Sequence, residues 1–305
     1  VREYRMSAAD VSSGLEQVDK GFKEQTALEK ILHLMKRQPL GVVGGVIVIT
    51  LLVLSIFAPW ITPVDPTDNN FEAMLVPPGA EYWLGTDQFG RDILTRLIYG
   101  ARTALFVGLV AAFSGATTGL VLGVASAYFG GTFDLLFQRF IDVFMAFPAI
   151  IMALAIVSIF GNELYFVILA ITLPNIPDCA RIVRSNALQI RAIPYVDAAR
   201  ALGFNHVRII LRHMLPNVMA PYLIIMTSAI GGAILSEASL SYLGMGVQEP
   251  VPAWGLMLQG GAEEYVESAF WVAFFPGFAI ALTVFGFNMF GDAVRDVLDP
   301  RLRQQ

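Results

Sequence analysis

Charged residues are scarce in this sequence of 305 residues. Asp, Glu, Lys and Arg make up 15% of it, against about 25% in soluble domains, while 56% of its residues are hydrophobic and its mean hydropathy is +0.63. So few charges cannot cover a water-facing surface, and the apolar excess must therefore face lipid. The composition predicts an all-α polytopic membrane protein in place of the two soluble domains that the length alone would allow.

The residues that enzymes and cofactor sites commonly require are also missing. Cys179 is the only cysteine, which excludes an intrachain disulfide and a multi-cysteine metal cluster. None of the four lysines follows a glycine, so there is no G-x-x-x-x-G-K-[ST] loop to hold ATP, and neither an H-E-x-x-H nor a G-x-S-x-G motif is present. The net charge of −5 gives no reason to expect a nucleic-acid partner. We therefore expect no catalytic residue, metal or cofactor in this chain.

Stretches without Asp, Glu, Lys or Arg define the candidate membrane spans, because a spanning helix needs roughly 20 apolar residues. Five of the six stretches are long enough to span a membrane. The fourth has only 14 residues, interrupted by Pro174 and Pro177, and is the weakest. The six stretches are 38–64, 103–133, 143–162, 164–177, 213–236 and 268–291.

The distribution of Lys and Arg predicts the orientation, since these residues are enriched in cytoplasmic segments. With six transmembrane helices and both termini inside, 17 of the 20 Lys and Arg lie in the inner segments 1–40, 129–139, 181–216 and 292–305. Without the fourth span, segment 181–216 and its six arginines would lie outside. We therefore retain that span and expect both termini in the cytoplasm.

The chain then divides into four parts. Residues 1–26 form a polar cytoplasmic tail, and residues 292–305 form a second one. Part 27–103 comprises an interfacial helix, the first span and an external proline-rich loop that ends in a short surface helix near Asp92. Part 104–291 is a core of five helices that contains the loop 181–216. The interfacial helix has Leu28, Ile31, Leu32 and Met35 on its apolar face; the alternative is a solvated tail.

Small residues recur every four positions in the second span. Such a stripe lets another helix approach closely, either from this chain or from a partner subunit. Its members are Ala111, Gly115, Gly119, Gly123 and Ala127.

Few acidic residues lie in the spans. Glu237, near the outer end of the fifth span, is the main intramembrane ionisable residue and is either functional or a polar contact at the helix end. The outer loop 244–267 contains no Lys or Arg, and it faces either a partner and the substrate entrance or simply water. Its acidic residues are Glu249, Glu263, Glu264 and Glu267.

Local signals are strongest in the loop 181–216. Pro194 suits the first turn of a helix, Asp197 its positive N-terminal end and Gly203 the position after its last residue. These three residues predict a helix of two to three turns, with Ala198 and Ala199 keeping it narrow enough for a groove.

A second short helix is predicted after Gly203, with Asn205 as its N-cap and Pro216 after its end. Arg208 and Arg212 are expected to point away from the protein. The residues expected on its inner face are Val207, Ile210, Leu211 and Met214.

This pair of helices resembles the EAA loop of the membrane subunits of ATP-binding-cassette importers. The family pattern is E-A-A, three residues, G, nine residues and I-x-L-P. Here Asp197-Ala198-Ala199 is followed at the same spacings by Gly203 and by His213-Met214-Leu215-Pro216. Two positions differ from the pattern, because Asp replaces Glu and His replaces Ile.

Further stretches resemble one branch, the peptide-type (dipeptide/oligopeptide/nickel) permeases, and within it the C-type subunit that pairs with a second, different permease. The likeness runs from about residue 36 to the end. The matching stretches are 84–92 (LGTDQFGRD), 237–244 (EASLSYLG), 250–255 (PVPAWG) and 292–302 (DAVRDVLDPRL).

The resemblance implies a type I importer permease fold with a cytoplasmic coupling helix, in a bacterial or archaeal cytoplasmic (inner) membrane. It also implies four partners: a second homologous permease, two ATPase subunits that bind ATP and Mg²⁺, and a periplasmic or lipid-anchored solute-binding protein that delivers peptides. Nickel and oligosaccharides are the alternative substrates. The residues expected to couple to the ATPases are Tyr195, Asp197, Ala198, Ala199, Arg200, Leu202, Gly203 and Pro216.

Two other classes of protein remain as alternatives. A secondary transporter or channel would work without an ATPase, and the lack of intramembrane carboxylates counts against it. A membrane-embedded enzyme would require a nucleophile or metal constellation that the sequence does not offer.

Overall fold

The computed structural model describes residues 38–265 and 267–298 of the chain. The chain divides into two compact units, Val1–Pro39 and Leu40–Gln305, and the second is described here. The tail 1–26, the interfacial helix predicted around Leu28 and the last residues of the C-terminal tail lie outside the described residues.

The described part is helical, without a named strand, which confirms the all-α prediction; Thr86 and Asp92 form one isolated bridge. A 3-10 turn occupies Phe71–Ala73 and a π turn Ile210–Met214. The helices are α1 Pro39–Ile56, α2 Ala58–Ile61, α3 Ile93–Phe129, α4 Gly131–Met145, α5 Ala149–Phe160, α6 Leu164–Arg191, α7 Pro194–Ala201, α8 His206–Ile209, α9 Leu215–Tyr242, α10 Trp254–Glu264 and α11 Trp271–Leu298.

Five helical segments are long and apolar enough to cross a membrane: α1, α3, α6, α11 and the run His206–Tyr242 that contains α9. The pair α4 and α5, bent by 87°, makes a sixth if it counts as one crossing. Arg191 Nη1 donates to the carbonyl of Ala127 at 2.7 Å, so α3 and α6 end side by side. The residues between them must therefore return across the bundle, which gives the six predicted crossings.

The two ends of the bundle are named here by their contents. The loop end carries residues 192–214, together with the last turns of α3 and α6. The far end carries the first turns of α3 and α11, with the connecting segments 62–92 and 243–253.

Two predicted spans differ from the observed helices. Span 143–162 is not one straight helix, because the chain bends between Met145 and Ala149, where Pro148 precedes α5 and cannot donate a backbone hydrogen bond. The weakest predicted span is instead a 28-residue helix, α6, that continues through Pro174 and Pro177 to Arg191. Its packing against α3 outweighs the cost of the two prolines.

The short surface helix and the second span, predicted as separate elements, form the single 37-residue helix α3. Asp92 caps it, because the Asp92 side chain accepts a hydrogen bond from the backbone N–H of Thr95 at 2.9 Å. At about 1.5 Å per residue, α3 is roughly 55 Å long and exceeds the thickness of the hydrocarbon core. Residues 292–298, predicted to start the C-terminal tail, continue α11.

The small-residue stripe of α3 packs against α6, so the neighbour that it admits belongs to this chain. A Cβ atom added at Gly119 would lie 2.7 Å from Cys179 Cβ and 2.9 Å from the backbone nitrogen of Ala180. At Gly123 it would lie 2.6 Å from the carbonyl oxygen of Ala180. The backbones therefore touch over this stretch, and a larger side chain would force them apart.

This contact predicts opposite effects of the same substitution at two helical glycines. Gly119→Ala is expected to destabilise the protein by about 1–3 kcal/mol, because the added methyl group overlaps the backbone of α6. Gly232→Ala in α9, where nothing lies within 4 Å of the added atom, is expected to be neutral or to stabilise the helix by up to about 1 kcal/mol. Thermal unfolding midpoints in mild detergent measure both, and equal shifts would contradict the close contact.

Candidate coupling site

The predicted helix in the loop 181–216 is present as α7, which has eight residues. Pro194 occupies its first position after Ile193 in extended conformation. Gly203 follows its end with φ +77°, a conformation that favours glycine, and the Gly203 N–H donates to the carbonyl of Arg200 at 2.9 Å. Local signals alone are sufficient to define both ends of this helix.

One face of α7 packs on the protein and the other is open. Val196 and Ala199 are buried, so the two neighbouring alanines have different roles: Ala199 contacts the body and Ala198 lies on the open face. The other predicted coupling residues of this stretch are exposed as well: Tyr195, Asp197, Arg200, Leu202 and Gly203. Arg200 and Asp197 form an exposed ion pair at 3.3 Å.

Hydrogen bonds hold α7 against the start of α9. The Tyr195 hydroxyl donates to the carbonyl of His213 at 2.9 Å, and Asn217 Nδ2 donates to the same carbonyl at 2.7 Å. The His213 ring stacks on Phe204, with centroids 6.1 Å apart. The histidine that replaces isoleucine in the motif thus makes an aromatic contact in place of an aliphatic one.

A second set of contacts joins the loop to the last turn of α3. A hydrogen bond connects the Tyr128 hydroxyl and Nδ1 of His206, 2.7 Å apart. The Arg200 guanidinium lies over the Tyr128 ring, 5.1 Å from its centroid, in a cation–π contact. Tyr128 therefore contacts both short helices of the loop.

The second predicted helix differs from expectation at its end. Asn205 caps it as predicted, accepting a hydrogen bond from the N–H of Arg208 at 2.8 Å. Pro216 does not follow its end, however, because α8 continues through the π turn into α9, and Pro216 is the second residue of α9.

The π turn also changes which residues face inward. Ile209 and Met214 are fully buried, whereas Val207 and Leu211, predicted on the inner face, are 62% and 57% exposed. A π turn adds a residue to the helical repeat and so rotates the face of the residues within and after it, such as Leu211 and Met214. Val207 precedes the turn and is exposed on α8 itself. With Leu202, which is 74% exposed, the loop therefore presents three apolar side chains to its surroundings.

Ion pairs fix the base of this loop. Arg184 donates from Nε and Nη2 to the two carboxylate oxygens of Asp134, both at 2.5 Å, which ties α6 to the first turn of α4. Arg181 contacts Asp142 at 2.6 Å in the same pair of helices. Together with the bond from Arg191 to α3, these contacts join three helices where α7 begins.

A buried ionic cluster at the far end was not predicted. Arg91 donates from Nε to Asp87 and from Nη1 to Glu249, both at 2.7 Å. Arg96 is fully buried, donates from Nη2 to Glu249 at 3.2 Å and from Nη1 to the carbonyl of Pro66 at 3.1 Å. Glu249, predicted to face a partner or water, is 40% exposed but pairs with both arginines. Of the 20 Lys and Arg, only three arginines lie in the segments predicted to be outside, and they were the only sequence signal for this cluster.

Glu237 is buried and accepts a hydrogen bond from the hydroxyl of Ser241 at 2.7 Å, one turn further along α9. This is the polar contact near the helix end that was one of its two interpretations. Within the described residues, no group of three or more His, Cys, Asp and Glu is arranged to hold a metal ion.

Comparison with models of protein families identifies the family of this chain. Residues 119–304 match the model of the binding-protein-dependent transport system inner membrane component. The chain belongs to this family. Residues 27–78 match a second model, the N-terminal transmembrane domain of oligopeptide transport permease C. The chain is therefore a membrane-embedded permease component, with the loop of α7 and α8 inside the matched region.

Curated relatives of this permease align over most of its length. The dipeptide transport system permease protein DppC of Alkalihalophilus pseudofirmus is 42% identical over 88% of each chain. The glutathione transport system permease protein GsiD of Shigella flexneri is also 42% identical over 88% of each chain. The probable D,D-dipeptide transport system permease protein DdpC of Escherichia coli is 37% identical over 89% of this chain and 91% of the relative.

Among solved structures, the fold of the permease is similar to that of a chain in an inward-facing structure of the MetNI methionine ABC transporter. The TM-score is 0.56 at 19% identity, with 68% of this chain and 98% of that chain covered. The likeness extends to the fold and not to the substrate.

The far-end cluster predicts a large loss of stability when one partner is removed. Arg96→Met is expected to cost about 3–5 kcal/mol, because it leaves the carboxylates of Asp87 and Glu249 with one arginine between them. Arg102→Met, on the exposed side of the same helix, is expected to cost less than about 0.5 kcal/mol. Unfolding of the permease in detergent compares the two, and similar midpoints would show that the cluster contributes little.

Proposed function

We propose that this permease forms half of a heterodimeric pore that imports peptides, with ATP hydrolysed in separate partner subunits. Two ATPase subunits, which bind ATP and Mg²⁺, a second homologous permease and a periplasmic or lipid-anchored solute-binding protein complete the machine. The observation that carries this proposal is α7, a short helix seated on ion-paired helix ends with its outer face open. The peptide substrate rests on the names of the relatives.

The proposed role of this chain is mechanical and not catalytic. The open face of α7 offers Tyr195, Asp197, Ala198, Arg200 and Leu202 to a groove of an ATPase subunit. Ala199 holds the helix on the body, Gly203 allows the turn, and Pro216 begins the lever helix α9. The exposed Val207 and Leu211 extend the same contact. ATP binding shifts the permease only if the ATPases bind its two conformations differently, and α7 transmits that difference.

The loop end lies in the cytoplasm under this proposal, and both termini lie on the same side. The Lys and Arg bias of the sequence supports this orientation in a bacterial or archaeal inner membrane. The proposed division of labour follows the sequence: 1–26 as a tail, 27–103 as the N-terminal part, 104–291 as the core permease with the coupling loop 181–216, and 292–305 as the C-terminal part.

Co-purification tests this assembly. A tagged form of the chain, extracted from its own cells in mild detergent, is expected to bring down a second permease and ATPase subunits with measurable ATP hydrolysis. Reconstituted with the binding protein, the complex is expected to take up peptides only with ATP. Uptake of nickel or oligosaccharides would leave the proposed assembly unchanged and would correct only the substrate. A lone chain that transports without ATP would indicate a secondary transporter.

Charge reversal on the open face of α7 is expected to uncouple the machine. Asp197→Lys places a cation where the partner groove meets an anion, and the exposed position should leave folding and assembly intact. Gly203→Pro should act similarly, because proline cannot adopt φ +77°. The measurement is peptide uptake per ATP hydrolysed, which should fall at least about tenfold for a coupling energy of ~1.4 kcal/mol.

Asp68→Lys is the matched control, since it reverses an exposed charge at the far end. It is expected to leave the ratio of uptake to hydrolysis unchanged. Normal uptake in both Asp197→Lys and Gly203→Pro would refute the coupling role of α7.

A further inference from the structure

Helix α3 is bonded at its last turn to the coupling loop. Tyr128 is buried at this end, with its hydroxyl 2.7 Å from Nδ1 of His206 and its ring beneath the guanidinium of Arg200. These contacts join α3 to both α7 and α8. A displacement of the coupling loop therefore acts directly on the end of α3.

The other end of α3 is bonded to the connecting segments at the far end. Arg96 reaches Pro66 in the segment before α3 and Glu249 in the segment after α9. The indole N–H of Trp254 donates to the carbonyl of Leu97 at 2.9 Å, one residue further along. The first turns of α3 thus hold together two segments that lie far apart in sequence.

Between these ends α3 is the long helix best suited to move as one body. Proline is a principal cause of helix kinks. Among the four described helices of 28 or more residues, α6 contains two interior prolines, α9 and α11 contain one each, and α3 contains none. From Arg96 to Tyr128 the helix spans about 48 Å at 1.5 Å per residue. Both anchoring residues are buried, so neither side chain can relax into solvent when the helix moves.

We propose that α3 carries the movement of the coupling loop across the bundle to the far-end segments. Tyr128 and His206 are the positioning residues at the loop end, and Arg96 and Glu249 are those at the far end. None of them is required to touch substrate or nucleotide. The inference rests on the proposed function and adds a route to it: a single element bonded to both sites, whose position both sites bias.

The test measures the movement at the far end, where the proposal expects it. Cys179, the one cysteine of this chain, is buried. A cysteine introduced at the exposed Asn69 can therefore be labelled with an environment-sensitive fluorophore on the purified permease, before the complex is assembled from it. In the full complex, trapping with ATP, Mg²⁺ and vanadate should change the fluorescence of this label. Tyr128→Phe keeps the ring but removes the hydroxyl. One lost hydrogen bond should lower the equilibrium constant of the shift that the label reports about two- to tenfold, and the amplitude should fall with the share of complexes that shift.

Tyr222→Phe is the matched control. It also removes a tyrosine hydroxyl bonded to α3, since the Tyr222 and Thr117 hydroxyls lie 2.9 Å apart. This bond joins α3 to α9, and Thr117 lies about 16 Å along α3 from Tyr128 at 1.5 Å per residue. Its label response is expected to match that of the unsubstituted complex, because the Tyr222 hydroxyl bonds neither α7 nor α8 to α3. Equal losses in the two variants would show a general packing effect and would overturn the proposal.

A double-mutant cycle supplies a second, independent readout. Glu249→Gln, at the far end, should reduce the same fluorescence amplitude, and combining it with Tyr128→Phe should reduce the amplitude by less than the product of the two separate factors. Sites this far apart normally act independently, so independent effects would contradict a shared route through α3.

The outcomes separate the two proposals. ATP-driven uptake together with an unchanged label response in Tyr128→Phe would remove only the route through α3. A complex without ATP-driven uptake would overturn both proposals.

Discussion

The contact of the α3 and α6 backbones along a line of glycines is the constraint on which the rest of this permease depends. Apolar burial cannot favour one helix pair over another in lipid, since lipid tails are as apolar as side chains, so association relies on close packing and interhelical hydrogen bonds. Gly119 and Gly123 permit that approach. The Ser114 and Thr172 hydroxyls, 3.0 Å apart, and the Cys179 thiol, which donates to the carbonyl of Ala116 at 3.1 Å, add bonds across it.

Because this pair runs parallel, its two ends lie beside the loop of α7 and α8 at one side and beside the far-end segments at the other. At one side the ends of α3 and α6 form a base, and the ion pair between Asp134 and Arg184 ties α4 to it. Helix α7 packs on this base. At the other side, Arg96 in the first turn of α3 donates hydrogen bonds both to the segment before α3 and to the segment after α9. Charged groups are thus concentrated where the helices end, which is where a lipid environment tolerates them.

The exposed side of the coupling loop combines features that a self-contained protein would avoid. Leu202, Val207 and Leu211 stay exposed although buried positions lie two or three residues away, at Ile209 and Ala199. The underside of the same loop, in contrast, is held by hydrogen bonds and ring contacts. A rigid underside and an apolar outer face are what a helix requires if it must move with a partner and carry its own protein along.

The amino-acid sequence by itself determined the membrane class, the number of crossings and the ends of α7, because hydropathy, proline and glycine preferences and helix caps act over a few residues. It also indicated the coupling motif, whose spacing survives two substitutions. Only the tertiary structure decided that α6 continues through Pro174 and Pro177, that the chain bends at Pro148, and that Val207 faces outward. The same is true of the pairing of Arg96 with Glu249, 153 residues away. Each of these features depends on which helix packs alongside, because packing against a neighbouring helix can offset a local preference. The residues within one helical turn do not show which helix that neighbour will be.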